Sequence, residues 1–266
     1  MQVTHPATAL GSIPPEDIFI ATDDMGMQVG RGYTVYQYQP HLYPDCPVNI
    51  YFSLECRESG RYVVFGALMA RARQLRDMNP GVQARVYTCV TPQEAVALDF
   101  YEHSGMACDE REVVVRMPVP AGEGRLPMSS AIQATPLNTP MEREALLQRL
   151  RQNDITHVDM SVLTQAMAAP HFHSLGLILS GRLAGEALLA GYGNECELLA
   201  IYVSADTRRR GIGHALLHRC MAVMGTEGVG SVTARFVTRS LPQQALATSF
   251  GAVELGTTAI FPGLFL

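Results

Sequence analysis

The fold is decided by one stretch of the sequence, Glu197-Leu-Leu-Ala-Ile-Tyr-Val203-Ser-Ala-Asp-Thr-Arg208-Arg209-Arg210-Gly211-Ile212-Gly213-His214-Ala-Leu-Leu217. Residues 196–203 are almost continuously apolar, which predicts a strand that is buried on both faces. From Ile212 onward the apolar residues recur at helical spacing, which predicts an amphipathic helix. The stretch is therefore expected to run from a buried strand, through a basic loop that contains glycine, into a helix.

The loop between this strand and this helix is predicted to bind an anion. The start of a helix leaves backbone N–H groups unpaired, and the helix dipole favours negative charge there. Gly211 and Gly213 let a ligand approach the backbone without a Cβ in the way, and Arg208, Arg209 and Arg210 add positive charge. A pyrophosphate is the anion that these features favour.

The pattern Arg208-x-x-Gly211-x-Gly213 resembles the acetyl-CoA signature of the GNAT acetyltransferase superfamily. In that signature an Arg or Gln is followed by two residues, a Gly, one residue, and a Gly or Ala. The order of elements around the pattern is also similar, because a strand precedes it, a helix follows it, and a second strand is predicted at 230–238. The resemblance covers residues 132–266 in full and the N-terminal half in a decayed form.

The resemblance implies an α/β fold, acetyl-CoA as co-substrate and a set of residues that hold it. Backbone N–H groups near Tyr202 and Val203 are implied to hold the thioester oxygen and the pantetheine. The full set implied to bind the cofactor is Ile201, Tyr202, Val203, Arg208, Arg209, Arg210, Gly211, Ile212 and Gly213.

An acidic residue on the same strand is the candidate catalytic group. Glu197 stands where such enzymes often carry their general base, which acts directly or through a water. Glu195 is the alternative base, and a solvated carboxylate at the edge of the site is the alternative interpretation of Glu197.

Four histidines near this stretch are candidates for other roles. His214 and His218 are four residues apart on the predicted helix, which would suit two metal ligands, but the sequence offers no third ligand. No metal is therefore expected. His171 and His173 precede a predicted hairpin and are interpreted either as acceptor contacts or as part of a surface loop.

The two halves of the chain repeat the same order of elements. In each half a strand, an Arg-x-x-Gly pattern, a long helix, a strand, a short helix and a glycine follow one another. Arg57 with Gly60 corresponds to Arg208 with Gly211. The chain is similar in this respect to tandem acetyltransferases, so we expect tandem GNAT-like mixed sheets flanked by helices, in two similar domains.

The domain boundaries are predicted from length and composition. A chain of 266 residues suits one large or two small domains, and the segment 118–130 is rich in Pro and Gly, which is typical of a linker. We therefore predict a degenerate N-terminal GNAT-like domain at 1–120, a linker at 121–130 and a C-terminal acetyl-CoA-binding GNAT domain at 131–266.

The two halves keep different parts of the family pattern. The N-terminal loop carries Glu58 and Tyr62 where a phosphate and a small residue are expected, so this copy is predicted to be degenerate. It nevertheless has Tyr101, which resembles the family tyrosine that commonly protonates the departing thiolate, although core packing is the favoured interpretation of Tyr101 in this half. The C-terminal half has the segment 247–252 in place of that tyrosine motif. The replacement acids that we considered are Tyr202, Tyr192, Ser249 and bulk water.

Composition excludes several classes of function. A net charge of −5, from 20 basic and 25 acidic residues, argues against a nucleic-acid partner. Six cysteines without paired spacing predict reduced thiols and a cytoplasmic location. Arg182 and Glu186 interrupt the most apolar window, which argues against a membrane span. The N-terminus shows no signal-peptide pattern.

These observations together predict an acyl-CoA-dependent N-acetyltransferase that acts on the amine of a small molecule or an amino-acid-like substrate. The alternative is a non-catalytic acyl-CoA-binding or interaction protein, which the missing tyrosine favours. A transferase that uses aminoacyl-tRNA is a third class, and the acidic charge counts against it. The pocket for the acceptor is built from variable loops in such proteins, so the sequence does not identify the acceptor. The oligomeric state is not predicted either.

Overall fold

The structure is a computed structural model that describes residues 1–40 and 42–266. The strands are β1 (Gln2–Thr4), β2 (Ile18–Thr22), β3 (Gln28–Tyr38), β4 (Val48–Cys56), β5 (Ala84–Tyr87), β6 (Arg111–Pro118), β7 (Ser130–Ala134), β8 (His171–Leu179), β9 (Arg182–Tyr192), β10 (Glu195–Val203), β11 (Ser231–Val237), β12 (Val253–Ile260) and β13 (Gly263–Phe265). The helices are α1 (Glu58–Arg76), α2 (Ala95–His103), α3 (Pro140–Gln152), α4 (Met160–Met167), α5 (Ile212–Thr226) and α6 (Leu241–Ser249).

The first compact unit comprises Met1–Arg111 and Thr258–Leu266. Its six-stranded sheet has the order β1-β2-β3-β4-β5-β13. Strands β4 and β5 are parallel, and every other neighbouring pair in this order is antiparallel. Helix α1 packs on β4 through Val64 and Leu68, which are fully buried with Ile50 and Phe52. Each such side chain contributes roughly 1.5–3 kcal/mol by leaving water.

The second compact unit comprises Glu112–Thr257. Its seven-stranded sheet has the order β12-β6-β11-β10-β9-β8-β7, and β10 and β11 form its parallel pair. Helix α5 buries Leu216 and Leu217 in one core cluster with Leu189 and Leu198 of the sheet. The fold class is therefore confirmed, since both units are mixed sheets combined with helices.

A second core cluster in this unit joins α3 and α4 to the sheet. It contains Leu146, Leu147, Leu150, Leu163, Leu188, Ala200 and Tyr202. Helix α3 begins at Pro140, and Thr139 and Glu142 close a capping box at this end. Strand β10 consequently contributes to two separate apolar clusters. From Cys196 onward its residues alternate between buried and half-buried, so it is less completely buried than the continuous apolar run predicted.

The compact units do not coincide with the predicted ranges 1–120 and 131–266. Strand β6, which sequence order places in the N-terminal domain, pairs along its length with β11 of the second sheet. Strand β13, at the C-terminal end, pairs with β5 of the first sheet. An alternating apolar pattern identifies a strand but does not specify which partner strand it pairs with. The sequence therefore does not show that β6 belongs to the second sheet and β13 to the first.

No helix among the described residues is long and apolar enough to cross a membrane.

Candidate active site

The central feature of the second unit is the place where its two parallel strands part. Strands β10 and β11 pair from Glu195 with Ser231 to Leu198 with Ala234, although β10 continues to Val203 and β11 to Val237. Beyond Leu198 the backbone of β10 has a strand partner only on the β9 side within the described ladders. Backbone groups need hydrogen-bond partners, so the open side of 199–203 can accept an extended ligand in the manner of an added strand.

A β-bulge lies at the point where the strands part. On the β9 side Leu198 pairs with Leu189 and Ala200 with Leu188, so Leu199 is the extra residue. Bulges of this kind re-aim backbone groups and occur often beside active sites. The carbonyl oxygen of Leu199 accepts a hydrogen bond of 2.8 Å from Nε2 of His157, a contact that no sequence pattern indicated.

The basic loop and the start of α5 have the geometry of an anion site. Gly211 is the N-cap of α5 with φ of 74°, and neither a side-chain cap nor an acidic residue occupies the first turn. The N–H groups of that turn are therefore directed toward an incoming anion. Arg208 folds back onto β10, where its Nε donates to the Val203 carbonyl at 2.9 Å, whereas Arg209 and Arg210 are exposed. The loop thus joins the end of β10 to two outward arginines.

The candidate base, Glu197, lies on β10 just before the bulge. Its side chain is 42% exposed, and one carboxylate oxygen is 3.6 Å from Nη2 of Arg235. An exposed ion pair of this kind contributes about 0–1 kcal/mol, so it leaves the carboxylate available to a substrate. The alternative, Glu195, pairs with Arg116 at 3.1 Å.

A buried polar network, also missed by the sequence reasoning, lies on the adjacent strand. The side chain of Glu186 on β9 is 2% exposed and is bound by the Arg149 guanidinium through Nε at 2.7 Å and Nη2 at 2.9 Å. Thr135 donates to the same carboxylate at 2.9 Å, and the Tyr202 hydroxyl donates to it at 2.6 Å. The network ties β9, β10, α3 and the end of β7 together.

This network removes Tyr202 from the set of candidate acids. Burial, together with the hydrogen bond to the Glu186 carboxylate, raises the pKa of the Tyr202 hydroxyl well above its ordinary value. A hydroxyl with a raised pKa that already donates its proton to a carboxylate is a poor proton donor for a departing thiolate. The side chain of Tyr202 therefore stabilises the fold through its hydrogen bond to Glu186. A role of the Tyr202 backbone in binding would be independent of this side-chain contact.

Replacing Arg149 with methionine is expected to destabilise the protein by about 3 kcal/mol, because it leaves the Glu186 carboxylate buried without its cation. The measurement is the free energy of unfolding in denaturant. Arg151→Met is the matched control on the same helix, since Arg151 forms an exposed pair with Glu144, and it should change that free energy by under about 1 kcal/mol. Equal effects of the two substitutions would contradict the interpretation of the network.

The other two candidate acids lie in unfavourable positions. Tyr192 is exposed at the end of β9, opposite Glu195 and therefore at the far end of β10 from the loop. Ser249 donates its hydroxyl to the Leu246 carbonyl within α6. Ala247, the counterpart of Tyr101 in the sequence repeat, is buried in the α5 core cluster.

The four histidines are each engaged with neighbouring side chains. His214 stacks on Phe250 with ring centroids 4.7 Å apart, and His218 lies 6.0 Å from His214. His171 and His173 both contact the Glu227 carboxylate, at 2.9 and 2.6 Å. No group of three or more potential metal ligands among residues 1–40 and 42–266 is arranged to hold a metal ion.

The pair of histidines makes Glu227 a source of pH-dependent stability. Burial alone would raise the pKa of Glu227, but hydrogen bonds and charge from His171 and His173 bring it below its ordinary value. A carboxylate with a lowered pKa stabilises the fold above its unfolded pKa, and this contribution is lost as the pH falls through the folded value. The contribution is thus complete at neutral pH.

Glu227→Gln is accordingly expected to lower the thermal unfolding midpoint at pH 7. The difference from the wild type should shrink as the pH falls below the ordinary glutamate pKa of about 4.3 and vanish only below the lowered pKa of the folded state. Thermal scans between about pH 3 and pH 7 would measure this. Glu144→Gln serves as a control that removes an exposed carboxylate and should change the midpoint little at any pH. A Glu227 difference that grows in acid would contradict the sign of the linkage.

The corresponding loop of the first unit has a different character. Glu58 is in the first turn of α1, and a Cβ on Gly60 would lie 3.0 Å from Cγ2 of Val29. The ring of Tyr62 packs on Phe100 with centroids 5.1 Å apart. Tyr101 is buried among aromatic rings, and burial raises its pKa to about 12. Tyr101 is therefore a core residue of this unit.

Comparison with known proteins agrees with this geometry. Residues 142–252 match the model of the Acetyltransferase (GNAT) family, and this segment contains the parted strands, the basic loop and α5. This segment is similar to GNAT domains, and the two mixed sheets fit tandem copies of that fold. No curated protein matches the chain in sequence at a significant level.

Solved structures show the same fold at low sequence identity. A probable N-acyltransferase from Enterococcus faecalis V583 is 11% identical with a TM-score of 0.54, and the match covers 92% of this chain and 61% of that one. A GCN5-related N-acetyltransferase from Anabaena variabilis ATCC 29413 is 10% identical with a TM-score of 0.52, covering 94% and 63%. This chain therefore spans under two thirds of the length of each.

Proposed function

We propose that the protein is an N-acetyltransferase that moves the acetyl group of acetyl-CoA to the amine of a small molecule or an amino-acid-like substrate. The observation that carries the proposal is the parting of β10 and β11 after Leu198. The open segment of β10, residues 199–203, then leads to the loop from Arg208 to Gly213. An extended thioester and a pyrophosphate need these two features in this order along the chain. Both lie within the GNAT segment.

In the proposed complex the pyrophosphate binds the first turn of α5, where Gly211 and Gly213 present backbone N–H groups. Ile212 belongs to the same turn, and Arg209 and Arg210 supply charge from the exposed side of the loop. The pantetheine and the thioester oxygen bind the open edge of β10, along Ile201, Tyr202 and Val203. Arg208 has a positioning role, because its bond to Val203 fixes the loop against the strand.

Glu197 is the proposed general base, acting directly or through a water. It takes a proton from the incoming ammonium group, so that the nitrogen lone pair can attack the thioester carbon. The C–N bond forms, the C–S bond breaks, and CoA leaves as a thiolate. Proximity and orientation in the gap between the strands supply much of the acceleration.

The test is to incubate the protein with acetyl-CoA and a panel of small amines, and to follow free thiol and N-acetylated product together. Thiol release that requires both the protein and one class of amine is the expected result.

The location that we propose for this chemistry is the cytoplasm, which is a reducing compartment. The six cysteines support it, since none of them is in a disulfide.

The second candidate, a non-catalytic acyl-CoA-binding or interaction protein, rests on Ala247, which stands where the family tyrosine would lie. A thiolate needs little help to leave near neutral pH, since thiols ionise around pH 8–9, so the missing tyrosine does not exclude transfer. Tight acetyl-CoA binding without transfer to any amine would favour this candidate over the enzyme.

A further inference from the structure

His157 is held against the bulge of β10 by its ring and by its neighbours. It lies in the loop between α3 and α4, where the next residue, Val158, is 1% exposed within the core cluster of α3 and α4. Asp159, one residue further, caps α4 by accepting from the Val162 N–H at 2.8 Å. The backbone around His157 is consequently fixed, while its side chain remains exposed to solvent.

The hydrogen bond to Leu199 determines which ring nitrogen of His157 carries the proton. A carbonyl oxygen can only accept, so Nε2 at 2.8 Å from it must be the donor. In the neutral imidazole Nδ1 then holds the lone pair. The described part of the chain provides no second hydrogen bond to this ring, and the side chain is exposed, so Nδ1 is accessible to a substrate.

The proposed reaction needs two proton acceptors, and Glu197 accounts for one. An alkylamine arrives near neutral pH as an ammonium ion, which loses one proton before it attacks the thioester. The nitrogen carries a second surplus proton in the tetrahedral intermediate and must lose it before the C–S bond breaks. Histidine is the side chain that exchanges protons most readily near neutral pH.

We propose that Nδ1 of His157 accepts this second proton. The inference rests on the proposed function, and its geometric basis is that Leu199 lies between Glu197 and the segment Tyr202–Val203 where the thioester is proposed to bind. The N–H bond of the intermediate breaks, its electron pair stays on nitrogen, and the proton moves to Nδ1. CoA leaves as a thiolate, and the imidazolium releases its proton to solvent through its exposed edge.

The charged groups of the neighbouring elements are compatible with this role. Glu197 of β10 pairs with Arg235 of β11, and Asp159 of the same loop is engaged in the helix cap.

The decisive variant is His157→Gln, because the glutamine amide can still donate to the Leu199 carbonyl but cannot take up a proton near neutral pH. We expect kcat at pH 7 to fall about 10²-fold, with the dissociation constant of acetyl-CoA and the unfolding midpoint unchanged. His5→Gln is the control, since His5 also contacts a strand carbonyl, that of Ile18, at 2.8 Å. It should leave kcat unaltered.

A second measurement does not depend on turnover. Nitrogen-15 spectra of the ring, assigned by comparison with His157→Gln, should show a protonated Nε2 and an unprotonated Nδ1 in the neutral form. A protonated Nδ1 would overturn the inference even if the enzyme is active, and so would a fully active His157→Gln variant. If the expected tautomer is present but the wild type transfers acetyl to no amine, the proposed function fails, and the catalytic role of His157 fails with it.

Discussion

Gly213→Val is expected to abolish measurable acetyl-CoA binding while leaving the fold intact. A Cβ at this position would lie 3.4 Å from Cγ2 of Val203, an ordinary contact, and the backbone belongs to α5. The branched side chain would nevertheless stand where a phosphate must approach the first helical turn. Losing two charge-assisted hydrogen bonds costs roughly 3–6 kcal/mol, which is roughly 10²–10⁴-fold in affinity.

Isothermal calorimetry would measure this effect, and it should also give one acetyl-CoA per wild-type chain. The single equivalent follows from Glu58 and Tyr62, which put negative charge and bulk at the corresponding place of the first unit. Two equivalents per chain, or wild-type affinity in Gly213→Val, would contradict the assignment of the loop.

The control for this prediction needs a glycine at which an added side chain would contact no other atom. Gly60 is the counterpart of Gly211 in the sequence repeat, but a Cβ there would press on Val29 at 3.0 Å, so its substitution would disturb folding as well as any ligand. Gly66 is on α1, the helix that also contains Gly60, and an added Cβ at Gly66 would have no atom within 4 Å. Gly66→Val should therefore leave acetyl-CoA affinity unchanged.

The sequence was sufficient to predict the elements that present the site. The strand, basic loop and helix of 197–217 are local features, and their periodicity and glycines specify them without reference to the rest of the chain. The structure has β10, a loop with Gly211 at positive φ, and α5 in that order. The mixed sheets of the two units were predicted in the same way, from the repeated order of elements.

The sequence was insufficient wherever a long-range contact decides the role of a side chain. Glu186 was interpreted only as a charge that interrupts an apolar window, whereas its burial depends on Arg149, which is 37 positions away. No sequence pattern indicates a role for His157, because its partner, Leu199, is 42 positions away and contributes a backbone oxygen. Neither pairing has a spacing that periodicity can detect.

Long-range contacts also decide which sheet contains β6 and which contains β13. Whether residues 111–118 complete the first or the second sheet depends on the ladder that β11 offers, from Val237 to Ser231. A proline- and glycine-rich segment marks where a chain is irregular, but the last strand before it need not belong to the preceding unit. The composition of the segment 121–130 therefore does not indicate which sheet the preceding strand completes.

Glu197→Gln is expected to lower kcat on the acceptor by about 10²–10⁴-fold at pH 7, the usual range for a single general base, while acetyl-CoA affinity barely changes. The amide keeps the shape of the side chain and can still contact its surroundings, but it cannot take a proton from the ammonium group. The loss should shrink as the pH rises, because the acceptor then deprotonates without help. Steady-state kinetics between about pH 7 and pH 10 would measure both effects.

Glu195→Gln is the matched control for this substitution, because Glu195 shares the strand face with Glu197 and also pairs with an arginine, Arg116. It lies two residues further from the bulge, so its replacement should leave kcat within about twofold of the wild type, the scale of an exposed ion pair. Wild-type turnover in Glu197→Gln, combined with a loss in Glu195→Gln, would transfer the role of base to Glu195. A deficit in Glu197→Gln that persists undiminished at high pH would instead indicate that the carboxylate binds the acceptor and does not deprotonate it.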